Sequence, residues 1–78
     1  MTEKQTLDVK GLLCPLPVLK AKKMLRSIER GGQLEVLTTD RGAVADFQCL
    51  AEEDDLLLLA QEETDGVCRH LIQKGTLE

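Results

Sequence analysis

The stretch Thr6-Leu7-Asp8-Val9-Lys10-Gly11-Leu12-Leu13-Cys14-Pro15-Leu16-Pro17-Val18 changes its periodicity halfway, and the rest of the chain follows from that change. Thr6 to Lys10 alternates apolar and polar residues, which predicts a short half-buried strand. Gly11-Leu12-Leu13 leads out of it. Pro15 and Pro17 then stand where a helix accepts proline, in the first turn, whose N–H groups have no intrahelical partner. From there to Arg30 the pattern is helical. Val18, Ala21, Met24, Leu25 and Ile28 share one face, with Lys22, Lys23, Arg26 and Arg30 opposite. Gly31-Gly32 is the expected helix stop.

Working outward, Gln33 to Thr39 reads as a second strand, with Leu34 and Val36 on one face and Leu37 on the other. Asp40 is a suitable N-cap for a second helix, Gly42 to Glu53, whose apolar face is Ala43, Val44, Phe47, Leu50 and Ala51. After the acidic cluster Glu52-Glu53-Asp54-Asp55, Leu56-Leu57-Leu58-Leu59 is apolar on both faces, which predicts a third strand inside the sheet rather than at its rim. Thr64-Asp65-Gly66 is a hairpin turn, and Val67 to Lys74 the returning strand. The order β-α-β-α-β-β predicts an α+β two-layer sandwich, a mixed four-stranded sheet with both helices on one face. At 78 residues the chain has room for one domain, expected to span 1–78. Apolar residues make up 42% of it, a globular composition, with 15 leucines and a single aromatic, Phe47, so the core must be aliphatic.

The formal net charge of −4 argues against a direct grip on nucleic acid, which needs a basic surface. No apolar run approaches the roughly 18 residues that span a bilayer, and the first five residues carry no signal-peptide core. Three cysteines without framework spacing suit a reducing compartment. The expected setting is the cytoplasm, away from membranes.

Cys14 is the residue with the most chemical promise. As the expected N-cap of the first helix, it would feel the positive end of the helix dipole, which favours a thiolate. Pro15 and Pro17 remove two of the N–H groups that would solvate that anion, leaving mainly Leu16, so the thiol should be modestly activated and rigidly held. Free cysteine is also among the most buried of residues, and spacing alone weighs the two readings evenly. A self-sufficient cysteine enzyme needs a base beside its nucleophile. His70 is the one histidine, nothing places it near Cys14, and a strand histidine is usually filler. The carboxylates gather in Glu52–Asp55 rather than in a pocket. There is no C-x-x-C pair. Cys68 and His70 share a strand face and could join Cys14 or Cys49 around a metal, but loop-borne ligand pairs are missing, so neither a metal nor a cofactor is expected. Cys49, at the edge of an apolar helix face, is explained by packing.

Charge distribution says more than charge sum. Lys20, Lys22, Lys23, Arg26 and Arg30 form a basic face behind Cys14, which by itself reads as an ordinary solvated flank. Leu16 and Leu19 project among these charges, and an apolar pair beside a candidate reactive thiol shifts the reading toward a docking surface for acidic partners.

Leu7-Asp8-x-x-Gly11-Leu12-x-Cys14-Pro15-x-Pro17-Val18-Leu19, followed by basic residues, resembles the signature of the TusA/SirA sulfur-carrier family. The likeness continues through Gly32-Gln33, Thr39-Asp40, Asp46-Phe47, Thr64-Asp65-Gly66 and Leu71 to Gly75. It implies a βαβαββ sandwich in which Cys14, positioned by Gly11, Pro15 and Pro17, holds a persulfide. It further implies a cysteine desulfurase or rhodanese-like donor and a downstream acceptor serving tRNA 2-thiolation, molybdenum-cofactor assembly or sulfur oxidation. Such a protein acts with partner enzymes rather than alone. The chain departs from the family pattern at Arg41, where proline is usual, at Asp54-Asp55, where Gly-His or Gly-Asn is common, and at Cys68 and His70, where aromatics are usual. Two other classes stay in view: a regulatory or RNA-binding module, and a small thiol redox protein pairing Cys14 with Cys49 or Cys68.

Overall fold

The computed structural model describes residues 4–53 and 56–75; Asp54-Asp55 and the two ends of the chain lie outside the described residues. Six elements follow in the expected order: β1 Lys4–Asp8, α1 Leu16–Leu25, β2 Gln33–Thr38, α2 Gly42–Glu53, β3 Leu57–Thr64 and β4 Val67–Gln73. The strands form one mixed sheet in the order β1-β2-β4-β3. β1 runs parallel to β2, while β4 is antiparallel to both β2 and β3. The result is the α+β, two-layer architecture that the periodicity predicts.

One sheet face is closed. Leu34, Val36 and Thr38 of β2, and Cys68, His70 and Ile72 of β4, alternate inward as a period of two requires. Ala21, Leu25, Ala43, Phe47 and Leu50 descend on them from the two helices, joined by Val9 and Ile28 in one core. Phe47 is fully buried at its centre. In a core whose other apolar side chains are aliphatic, its ring is the largest single apolar contribution.

Three expectations need correction. First, Leu56–Leu59 does not form an interior strand: β3 lies at the sheet edge because β4 inserts between it and β2. Leu56 and Leu58 pack against the core, whereas Leu57 and Leu59 are 40% and 46% exposed on the side that no helix covers. A register shift between Leu58 and Ala60 interrupts the pairing with β4 there. Second, α1 ends at Leu25 rather than Arg30. The N–H groups of Ser27 and Ile28 reach back only three residues, to Met24 and Leu25. The Ser27 hydroxyl also donates to the Met24 carbonyl, and Lys74 Nζ donates to the Ile28 carbonyl at 2.8 Å. These bonds replace the next helical turn while keeping Ile28 in the core, which is why the apolar period outlasts the helix. Third, Gly31 does not stop α1. It sits at φ +89° in the Glu29–Gly32 turn that feeds β2, and its N–H bonds the Lys74 carbonyl. Arg30 therefore leaves the helix surface and lies over Gly75.

The first strand is β1 over Lys4–Asp8, two residues earlier than expected, because Val9 to Leu12 folds into a turn closed by Leu12 N–H on the Val9 carbonyl. Gly11 takes φ +85° at the third position of that turn, where a side chain would be strained. The hairpin at Asp65-Gly66 stands as expected, both residues at positive φ between the paired Thr64 and Val67.

Candidate functional site

The chain leaves β1 through the Gly11 turn and reaches α1 through a second turn, Leu13 to Leu16, closed by Leu16 N–H on the Leu13 carbonyl at 2.9 Å. Cys14 lies inside this second turn and its peptide to Pro15 is cis. Pro15, not Cys14, is the N-cap of α1, and no side chain caps that end. The expected solvation of a Cys14 thiolate by Leu16 N–H is ruled out, since that group is spent on Leu13.

The corner is braced from the β2–α2 connection instead. Gly11 N–H donates to Thr39 Oγ1 at 2.8 Å, and Cys14 N–H donates to Asp40 Oδ2 at 2.6 Å. Asp40 uses its other oxygen to accept from Gly42 N–H at 3.0 Å, the α2 cap expected of it. One carboxylate thus ties the start of α2 to the thiol-bearing loop. The Asp40 carboxyl is held below the usual aspartate range, first by the Cys14 N–H and then by that of Gly42.

The Cys14 thiol itself donates to Asp46 Oδ2, one turn into α2. This bond, with partial desolvation and the negative charges of Asp46 and Asp40, pushes the thiol up from its ordinary value. The expectation of a thiol activated by α1 is therefore overturned: its electrostatic partners are two carboxylates of the second half of the chain. The expected lack of a nearby base fails with it, because Asp46 occupies that place. The sequence does not single out Asp46, because its contact with Cys14 spans 32 positions. A polar residue four positions beyond Gly42, on the side of α2 that opens toward Cys14, was the available clue.

Cys14 is exposed, and so are its apolar neighbours Leu13, Leu16 and Leu19, at 71%, 46% and 53%. Leu13 belongs with the two expected docking leucines. Pro17 is buried beneath them in the first turn of α1. The basic residues divide around this ridge: Lys20 and Lys23 line a cleft of about 460 Å³ with Leu7, Met24 and Ser27, while Lys22 and Arg26 line one of about 400 Å³ with Leu25, Leu56 and Lys74. Both clefts are clear of Cys14, whose surroundings are apolar and acidic.

His70 is a core residue. It is fully buried, and burial pulls its pKa down to about 4. Its Nδ1 lies 3.0 Å from Gln61 Nε2, and its Nε2 lies 2.8 Å from Thr38 Oγ1. Gln61 Nε2 also donates to the Val44 carbonyl, so it is the amide nitrogen that faces the ring. Nδ1 then accepts and Nε2 carries the proton toward Thr38. Cys68 is buried, its sulfur 4.0 Å from His70 Nδ1, and burial raises its thiol. Cys49, by contrast, is exposed on α2, so packing does not account for it.

Residues 5–74 match the family model described as Sulfurtransferase TusA. The chain is 43% identical over 71 residues to the sulfur carrier protein TusA of Allochromatium vinosum, covering 91% of this chain and 93% of that protein. It is 46% identical over 69 residues to a protein of Neisseria meningitidis serogroup A named as a candidate sulfur carrier, covering 88% of this chain and 93% of that one. Its fold matches the crystal structure of a SirA-like protein from Desulfitobacterium hafniense, with a TM-score of 0.82 at 34% identity, covering 91% of this chain and 97% of that one.

Proposed function

Because the chain belongs to the TusA sulfurtransferase family, we propose that it is a sulfur carrier: Cys14 takes sulfane sulfur as a persulfide from a cysteine desulfurase or rhodanese-like donor and passes it to an acceptor protein. The observation that carries this reading is the seating of Cys14. Its thiol stands exposed on a corner whose backbone is fastened to Thr39 and Asp40, ringed by exposed leucines and outside the clefts that flank α1. A sulfur that must meet two different proteins needs access and a fixed position more than a pocket. Thiolate attack on a persulfide is governed by such access and by the leaving thiol.

Leu13, Leu16 and Leu19, with Lys20, Lys22, Lys23 and Arg26 to either side, form the docking surface in this reading. Donor and acceptor would each bury the leucines and meet the lysine and arginine flanks with acidic groups. Arg30, expected on that surface, lies instead over Gly75 at the end of the sheet away from Cys14 and stands apart from it. The outlets are tRNA 2-thiolation, molybdenum-cofactor assembly or sulfur oxidation, reached through partner proteins. Three free thiols fit a reducing cytoplasm. Among the described residues no helix is long and apolar enough to cross a membrane.

The RNA-binding alternative loses its best support, since Phe47, the one aromatic in the chain, is buried and offers no stacking surface. The test is intact-protein mass spectrometry after incubation with a cysteine desulfurase and cysteine, or with a rhodanese and thiosulfate. A reducible gain of one sulfur atom mapping to Cys14, and absent from Cys14→Ser, supports the carrier. No gain, or sulfur on Cys49 or Cys68 alone, overturns it.

A further inference from the structure

The thiol of Cys14 is surrounded by groups that oppose its ionisation. Asp46 faces it from α2 and Asp40 from the β2–α2 connection, and both are acidic. A thiolate beside two carboxylates is disfavoured by like-charge repulsion, so the resting form at neutral pH is the neutral thiol. The thiolate, however, is the nucleophile in sulfur exchange. A carrier with a suppressed thiolate needs a way to lose its proton at the moment of attack. His70 cannot help, being buried against Phe47 with both ring nitrogens engaged.

Resting on the carrier reading above, we infer that Asp46 is a catalytic residue of the transfer, the general base that takes the Cys14 proton as Sγ attacks the donor persulfide. The contact already exists, since the thiol donates directly to Asp46 Oδ2. Asp40 does different work: both of its oxygens hold backbone N–H groups, and it fixes the position of Cys14 without touching the sulfur. The step is R–S–SH plus Cys14–SH giving R–SH plus Cys14–S–SH. A lone pair on Cys14 Sγ forms the new S–S bond to the sulfane sulfur. The donor S–S bond breaks with its electron pair on the donor sulfur, which takes a proton from water, while Asp46 returns the Cys14 proton to water. One S–S bond replaces another, so no oxidant or reductant enters. The arrangement gives the carrier a selectivity: its thiol stays quiet toward solvent electrophiles that prefer a free thiolate, yet reacts when a persulfide is held in line with Sγ.

The experiment compares loading rates of the wild type and Asp46→Asn with glutathione persulfide as donor, from pH 6 to pH 9, read by intact mass. Asparagine keeps the shape and removes the charge, so it lowers the thiol pKa and raises the thiolate population at every pH. If Asp46 is the base, Asp46→Asn loads about tenfold more slowly than wild type at pH 6, and the ratio of the two rates climbs to one or above by pH 9. If Asp46 merely suppresses the thiolate, the variant loads at least as fast as wild type at pH 6, and the inference is overturned. Should that variant not fold, Asp46→Ala is read in the same way, because the ratio to wild type at each pH cancels the donor's own ionisation. Failure of the wild type to load from any donor removes the carrier reading itself and is a separate outcome.

Discussion

The imidazole of His70 lies stacked on the phenyl ring of Phe47, with centroids 4.5 Å apart and 25° between the planes. The pair joins the inner strand β4 to helix α2 at the centre of the core, where it bears on both the pH response and the stability of the domain.

Burial holds His70 near pKa 4 in the native state, against about 6.5 in an unfolded chain. Between those values the unfolded chain binds a proton that the native protein refuses. Stability is therefore full above about pH 6.5 and falls as the pH drops toward 4, by at most about 3 kcal/mol. Urea unfolding at pH 7 and pH 4.5 should show the difference, and His70→Gln should flatten it. A wild-type stability that is level across this interval would contradict the buried neutral ring.

Phe47→Ala removes the central ring and should cost about 3–5 kcal/mol. A domain of this size has a total stability on the order of 4–12 kcal/mol, so this variant is expected to be largely unfolded at 37 °C. Phe47→Leu, which keeps most of the volume, should remain folded with a lowered Tm. Circular dichroism melts of the two variants separate these outcomes; equal melts would mean that the ring is not the keystone.

Asp40→Ala releases two N–H groups together, those of Cys14 and Gly42. The expected result is a Tm lower by a few degrees and amide exchange at Cys14 that accelerates far more than at Leu34 in β2. Because the folded carboxyl is held below the usual aspartate range, its contribution is complete above the unfolded value near pH 4. It is lost only as the pH falls through the lower folded value. Unchanged exchange at Cys14 would show that the Leu13–Leu16 turn holds the corner without the brace.

Leu16→Glu with Leu19→Glu should raise the KM for a protein donor by about tenfold, while leaving loading from glutathione persulfide unaltered. Charge reversal at Lys22, Lys23 and Arg26 should weaken the same encounter in a manner that fades as salt is added. Steady-state loading at low and high ionic strength checks both; a KM indifferent to all five substitutions would move the docking surface elsewhere.

Much of this domain could be read from residue order because its strongest signals are local. The alternation of Leu34, Val36 and Thr38, the helical spacing of Ala43, Phe47 and Leu50, and the Asp65-Gly66 turn each announce themselves within a few positions. Cys14 stands out as the candidate residue from its prolines and its setting. What escaped was decided at long range. Leu56–Leu59 has the composition of an interior strand, and only the insertion of β4 assigns it to the edge. The helical period runs on to Ile28, but Lys74, 46 residues away, takes the Ile28 carbonyl and helps the chain leave the helix. The electrostatics of Cys14 are set at long range as well. Its local neighbours are prolines and leucines, whereas the groups that act on its sulfur arrive from β2–α2 and α2.

The placement of β4 has a consequence for biosynthesis. Its seven residues, Val67–Gln73, make every hydrogen-bonded pairing that links β3 to the rest of the sheet, and they deliver His70 and Ile72 to the core. While a ribosome still holds this segment, β1 and β2 have only each other, β3 has no partner, and Phe47 has no ring to stack on. The emerging polypeptide must therefore travel as an open, leucine-rich chain until Gln73 is free, and folding then completes in a single late event. A chain ending at Gly66 and tethered to the ribosome by a flexible linker long enough to clear the tunnel should accordingly engage chaperones and be cut readily by proteases, and one carried past Lys74 on the same linker should resist both.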